Sequence, residues 1–598
     1  MKILKQNHDL NMQDNIIFFD TETNIINDVH GNEEQTLKLG WIIHTNDGIK
    51  EKYYFEKSND FWEFVFSKIE DDNKIIIFAH NMEFDFKIVD GYNKLFKDYR
   101  FRIKHFYIEG ATFILKVKKG KKEILFLDSM NYVPLPLSKI GKALKLEKMK
   151  INFNQCTKEE LSKYCLNDTE ILYQFIMQLI KFLKYNDLTK LRNTSASLSL
   201  NAFKHRFYNI NDHPIYLHEH KNAIALERKS YRGGITDCFK IGQFKEKLYK
   251  LDINSMYPYI MKNKDMPIKL IEYNSINPEI PDLDKYHVIA DCEIILPKDK
   301  AYVLSRQKIN KFEKCVFIAG EQRVTLTTPE IEYVLKYGKI KKIYAVNIYQ
   351  KANIFKEYVN FFYDKRKNEY MDNEVFSMFC KLMLNCLYGK FGAKKLIMEN
   401  MKQKAELIDV KSSKWLDGDG LFTIMQIGKD LIKMEKTEDN ATDSMVAIPS
   451  LITSFARMYL VELIEKAERK NVYYTDTDSL IVNERGLQNL KNYLDDNKLG
   501  MLKNEGVSYY TEIIKPKYYI FDNVEKSKGV KKEHWLLCED NLKKEIVQKQ
   551  FIRFKTALKN NEYDKQYVKW IKKVISKEYD KGNILNNEVH PYTMNDIS

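Results

Sequence analysis

Two short apolar runs, each ending in a pair of acids one residue apart, constrain this chain more than anything else in it. Ile16-Ile17-Phe18-Phe19 leads into Asp20-Thr21-Glu22, and Val472-Tyr473-Tyr474-Thr475 leads into Asp476-Thr477-Asp478. In a strand, positions i and i+2 point to one face, so each run should set two carboxylates side by side at a strand end. Like charges that close repel, and one would take a proton unless a cation lies between them. Mg²⁺ suits such a place because it takes oxygen ligands and tolerates waters and phosphates, with Mn²⁺ as the alternative. A lone acid-x-acid pair is more often a polar turn, so the surroundings of each pair must decide.

Around the second pair, Leu251-Asp252-Ile253-Asn254-Ser255-Met256-Tyr257-Pro258 ends another apolar strand in an acid and turns into a helix. Between the two stretches, Lys381, Asn385 and Tyr388 fall at i, i+4 and i+7 of a helical pattern and share one face. A cation, an amide and a ring on one face suit a nucleoside triphosphate. Around the first pair, His80-Asn81-Met82-Glu83-Phe84-Asp85 follows a strand, and Tyr164 and Asp168 stand at i and i+4 of a helical stretch. A phenol one turn from a metal-holding acid can orient a water beside the metal.

Taken in order, D-x-x-S-[LM]-Y-P, K-x-x-x-N-x-x-Y-G and Y-x-D-T-D-S resemble motifs A, B and C of the family B DNA polymerases, with departures at Met256 and Cys386 that remove neither ligand nor charge. The resemblance implies a multidomain α/β and α+β chain: a ribonuclease H-like 3′→5′ exonuclease, then a right hand of palm, fingers and thumb. It implies that Asp252 and Asp478 hold two Mg²⁺ ions, with Asp476 a weaker or outer ligand. Lys381 and one of Lys365, Arg366 and Lys367, with Arg366 as the candidate, would neutralise the triphosphate; Tyr257 would reject a 2′-hydroxyl, and Asn385 and Tyr388 would line the nucleotide. Thr453 and Arg457, Lys517 and Tyr519, and more loosely Lys526, resemble DNA-contacting motifs, as does the linker Tyr231-Arg232-Gly233-Gly234. In the first half, the resemblance to the Exo I, II and III motifs makes Asp20, Glu22, Asp85 and Asp168 metal ligands and Tyr164 the residue that orients water. Asn81, Ser129 and Lys150 would hold the frayed 3′ end, although Met130 departs from the leucine expected after Ser129.

The stretch L-D-S-x-x-x-x-P-L-P-x-x-K-I resembles the protein-primed branch of the family. That branch implies DNA template and primer, dNTPs and a terminal protein as partners, acting as a monomer or as a heterodimer with the terminal protein. The resulting division is 1–205 exonuclease, 206–261 first part of the palm, 262–346 terminal-protein-docking insertion, 347–391 fingers, 392–445 processivity and strand-displacement insertion, 446–530 second part of the palm, and 531–598 thumb. Alternatives are a family B enzyme that extends ordinary primers or starts unprimed, and a nuclease or DNA-binding protein with an inactive polymerase half.

Length and charge agree with this division. At 598 residues, 44% hydrophobic and 13% aromatic, the chain is long enough for several packed units, at roughly 150 residues each. The net charge of +14 is unevenly spread: residues 1–100 hold 12 basic and 19 acidic residues, whereas 541–581, expected to be helical, hold 12 basic and 5 acidic. Eight scattered cysteines without a C-x-x-C speak against a disulfide framework or a structural zinc site. The sequence suggests no membrane span and no leader peptide, so a cytoplasmic location, in the host cell if viral, is the expectation.

Overall fold

The computed structural model describes residues 1–11, 14–27, 31–69, 74–400, 422–427, 430–531, 533–559 and 566–597. The first unit grows from the strand Ile16–Asn27, which pairs antiparallel with Glu33–Asn46 and parallel with Lys74–Ala79; Lys74–Ala79 pairs parallel with Lys122–Asp128. Apolar residues cover both faces, as a strand buried on both sides requires. Ile17, Phe19 and Ile77 pack with Phe61, Trp62 and Phe86. Ile16, Phe18 and Phe78 pack with Ile171, Phe175 and Leu179 of the helix Lys158–Tyr185. That helix opens with a reciprocal cap between Thr157 and Glu160. The hairpin Thr112–Lys119/Lys122–Asp128 turns at Gly120 with a φ of 60°, a conformation glycine adopts without strain.

The second sheet is antiparallel and gathers distant segments in the order Thr236–Cys238, Val472–Asp476, Ser479–Asn483, Leu248–Ile253 and Leu502–Ser508. Against it pack the helices Met256–Asn263, Glu374–Phe391 and Ala447–Ala467. Ala447–Ala467 is long and apolar enough to cross a membrane, and in this fold it is a buried core helix. Residues 262–346 carry most of a four-stranded sheet, Met266–Asn274, Lys339–Ala352, His287–Leu296 and Gly320–Thr327, whose strand Lys339–Ala352 runs past the expected boundary. A helical pair comprises Lys356–Asp364 and Glu374–Phe391, with a wider π turn at Lys365–Glu369. Strands Lys394–Asn400, Phe422–Ile427 and Asp430–Asn440 form a further sheet; the Asp417-Gly418 and Asp419-Gly420 pairs, which read as turns in the sequence, lie outside the described residues.

The expectation of a helix over 541–581 fails. Lys543–Phe551 and Gln566–Ser576 are antiparallel strands, extended on one side by Trp535–Glu539. The inward positions of the first strand alternate, Lys544, Ile546 and Gln548, but two of the three are polar, so the period of two does not appear as hydrophobicity. Lys544 is tolerated there because Glu525 accepts from its ammonium at 2.7 Å. Exposed lysines are also neutralised locally, Lys543 and Lys572 by Glu545 and Lys549 by Glu33, as is the half-buried Lys577 by Glu539. Strand Gln566–Ser576 then pairs with Glu33–Gln35, so this late segment completes the sheet of the first unit. Phe554 seals the joint, buried against Phe106 and stacked on Tyr92, while its N–H donates to Glu83.

Candidate active sites

Asp252 lies opposite Ser479 in the antiparallel register, one residue from Asp478. The strand Val472–Asp476 has already ended; Thr477 takes a φ of 65°, and the Asp478 N–H donates to the Asp476 carbonyl at 2.7 Å. The Ile253 N–H donates to the Asp478 carbonyl at 2.7 Å and locks the turn to the strand of Asp252. Burial first, and then the Asp478 charge, push the Asp252 carboxyl up to about 7, and burial and Asp476 raise Asp478. The i, i+2 argument gains a third member here: the chain reverses at Thr477, so Asp478 lies near Asp252 of the neighbouring strand as well as near Asp476. Asp476 accepts from Thr236 Oγ1 at 2.8 Å and from Lys517 Nζ at 3.1 Å.

The exposed Lys381 of helix Glu374–Phe391 counters the repulsion at both Asp252 and Asp478. Asn385 and Tyr388 follow along this helix, and the Tyr388 ring lies 4.9 Å from that of Tyr257. Among the three basic candidates the geometry favours Arg366, whose Nη1 donates to Ser255 Oγ at 3.0 Å in the turn after Asp252, whereas Lys365 is paired with Glu369.

The other cluster is more enclosed. Asp20 and Glu22 stay within one continuous strand, and Thr21 between them donates to Asp85 through Oγ1 at 2.6 Å and N–H at 3.1 Å. Tyr164 and Asp168 enter from the helix Lys158–Tyr185. Ligand atoms of Asp20, Glu22 and Cys165 lie within 4.8 Å of one another. Burial raises all four carboxyls: Glu22 to about 7, Asp85 to about 8, Asp168 upward, and Asp20 well above its usual value with Asp85 and Asp168 adding repulsion. One oxygen of Asp168 is buried without a hydrogen-bond partner. Crowded carboxylate oxygens with an orphan lone pair fit a hard divalent cation.

Two residues of this cluster were missed by sequence reasoning. Lys150 is exposed, and Lys148 holds the place expected for it, paired with Asp168 and 4.8 Å over the Tyr164 ring. Asp128 is buried and accepts from the N–H groups of Asn81, Met82 and Met130 at 3.0, 2.9 and 2.9 Å, fixing Asn81 at a φ of 71°. Ser129 is turned inward and fully buried, with Oγ 2.8 Å from His80 Nδ1, so it is not presented to a strand of DNA.

Three further DNA-contact expectations fail for the same reason. Arg232, Thr453 and Arg457 are buried, the two arginines against Glu330. Tyr231 is half-buried with its ring against Gly392, Gly233 is exposed, and Gly234 packs directly on Thr477. Lys517 and Lys526 are exposed, and Tyr519 packs 5.0 Å from the Tyr474 ring.

With this geometry in place, comparison with known proteins is decisive on family. The model for DNA polymerase type B, organellar and viral, matches residues 146–470. The chain belongs to this family. A DNA-directed DNA polymerase of Enterobacteria phage PRD1 is 26% identical over 464 residues, covering 75% of this chain and 74% of the phage protein. A probable DNA polymerase of Neurospora intermedia is 26% identical over 392 residues, covering 62% of this chain but only 38% of that relative. The family chain thus spans well under half the length of this longer relative. In fold it resembles phi29 DNA polymerase, solved with primer-template DNA and incoming nucleotide, with a TM-score of 0.69 at 17% identity over 95% of this chain and 100% of that one. That likeness is one of fold: the same multidomain type B arrangement of sheets and helices runs over nearly the whole chain.

Proposed function

We propose that the chain is a DNA-directed DNA polymerase with a separate 3′→5′ proofreading exonuclease, that it starts synthesis on a terminal protein, and that it replicates a linear DNA by strand displacement. The observation that carries the polymerase reading is the convergence of Asp252 and Asp478 beneath Lys381, one turn from Arg366. Asp252 and Asp478, and separately Asp20, Glu22, Asp85 and Asp168, would hold divalent cations, Mg²⁺ foremost. When bound, such ions supply Lewis-acid polarisation of the phosphoryl group and activation of the attacking oxygen. Lys381 and Arg366 hold the negative charge of the triphosphate. Tyr257 and Tyr388, in ring contact, form a floor under sugar and base that a 2′-hydroxyl would meet first. In the exonuclease, Tyr164 holds the attacking water and Lys148 offsets charge on the cleaved phosphate.

Primer extension with dNTPs and Mg²⁺ tests the reading: template-dependent incorporation is expected, and its absence would sink it. The terminal-protein step is supported by the resemblance to the phage PRD1 and phi29 enzymes and by the elaborated region 262–346. Incubation with a candidate terminal protein and labelled dATP should give a covalent protein-nucleotide adduct; extension of DNA primers without an adduct would favour an ordinary primed polymerase.

A further inference from the structure

Glu330 is fully buried in the region 262–346, far in sequence from every acid of the polymerase centre. Its Oε1 accepts from Arg457 Nη2 at 2.8 Å, and its Oε2 from Arg232 Nη2 at 3.0 Å and from the Thr327 N–H at 3.1 Å. Burial pushes this carboxyl up, but the two guanidinium charges outweigh burial and hold it below the usual carboxylate range. The three charges come from three places: the linker, the region 262–346 and the core helix Ala447–Ala467.

The arginines pass the constraint onward. Arg457 Nη1 donates to the carbonyls of Arg232 at 2.7 Å and Gly233 at 3.0 Å. The residues that follow are the ones that hold the turn. A Cβ on Gly234 would lie 3.0 Å from Thr477 Cα, the Ile235 carbonyl accepts from the Thr477 N–H at 2.6 Å, and Thr236 Oγ1 donates to Asp476 at 2.8 Å. Thr477 is β-branched and has a φ of 65°, a conformation that persists only when its surroundings impose it.

We propose that Glu330 is a positioning residue for nucleotide incorporation: by fixing Arg457 and Arg232 it holds the linker Arg232–Thr236 in place, and the linker holds the turn Asp476–Asp478 in the geometry that binds divalent cation. The inference rests on the polymerase reading above. A buried triad that only stapled the fold could be replaced by apolar side chains. What the charged triad adds is direction, because one guanidinium fork grips a carboxylate and two carbonyls at once.

The test measures incorporation on a primer-template as a function of Mg²⁺ concentration and, in the same preparation, degradation of a 3′ end. Arg457→Lys keeps a positive charge beside Glu330 but replaces the fork by a single ammonium. It should raise the Mg²⁺ concentration for half-maximal incorporation about tenfold, the scale seen when a residue behind a metal ligand is removed. The Mg²⁺ requirement of the exonuclease should not move. Glu330→Gln should shift incorporation further in the same direction; if that chain does not fold, Arg457→Lys alone decides. An unshifted Mg²⁺ requirement in Arg457→Lys, or an equal shift in both activities, would overturn the proposal. A wild-type chain that incorporates nothing would instead strike the polymerase reading, so the two failures are distinguishable.

Discussion

The two carboxylate centres begin from the same short phrase of sequence, an apolar run followed by acid-x-acid, and the fold treats them differently. Strand Ile16–Asn27 continues through Asp20 and Glu22, so both acids face one cluster that helices close with Asp85, Tyr164 and Asp168. Strand Val472–Asp476 stops at its first acid, and the chain reverses at Thr477. Asp476 then turns to Thr236 and Lys517, and Asp478 meets an acid from another strand. The Asp20 cluster also contains its own cation, Lys148, while the Asp252–Asp478 pair looks across to an exposed Lys381. Where a strand ends relative to its acids decides whether two carboxylates form a pair or are shared out among neighbours.

The largest test of this contrast separates the centres. Asp478→Ala should lower incorporation by about 10³-fold and spare 3′-end degradation, and Asp20→Ala should do the reverse, on the scale of losing a key electrostatic group. Loss of both activities in either variant would merge the two sites. Next in size, Lys148→Met should reduce 3′-end degradation about 10²-fold without touching incorporation, while Lys150→Met changes neither. Equal effects of the two lysine variants would break the assignment of Lys148 as the internal cation.

A smaller effect concerns pH. Glu22, Asp85 and Asp252 have folded-state pKa values raised to about 7, 8 and 7. Their contribution to stability is therefore fully present below the unfolded carboxylate range and is lost as pH rises through 7 to 8. Mg²⁺ should restore it, so the gain in Tm from adding Mg²⁺ should be larger at pH 8 than at pH 5. The gain corresponds to about 2.7 kcal/mol when the ion stands at about 100 times its Kd. Equal gains at the two pH values in a thermal melt would contradict this origin of the shift. The smallest test compares two threonines: Thr21→Val removes the hydroxyl that holds Asp85, and Thr236→Val the one that holds Asp476. Each should cost about 1 kcal/mol at its own centre, so 3′-end degradation slows in the first and incorporation in the second.

The acids were legible because a strand end, a helix turn and a motif each place them by local geometry. Lys148 was not, since its partner Asp168 lies 20 residues away and nothing in the loop distinguishes it from Lys150. Arg232 and Arg457 read as DNA contacts through the motifs they resemble, and a motif carries no sign of burial. Their counter-charge, Glu330, stands 98 and 127 residues away, and only the fold brings it under them. The late ribbon failed as a helix for a related reason: Lys544 occupies an inward position that Glu525 makes tolerable. Local pattern showed where charge is needed for chemistry, but charge used for packing depended on distant partners.

The pairing of Gln566–Val568 with Glu33–Gln35 has a consequence for how the molecule is made. The residues it joins are 533 apart, as in the contact of Tyr567 with Glu34. At a synthesis rate of about 5–20 residues per second, the nascent first unit waits roughly 25 to 100 seconds before this edge of its sheet is covered. Throughout that interval a length of strand presents free backbone donors and acceptors to other nascent chains. Glu33 and Glu34, one on each face of that edge, guard it with charge, as edge strands commonly do.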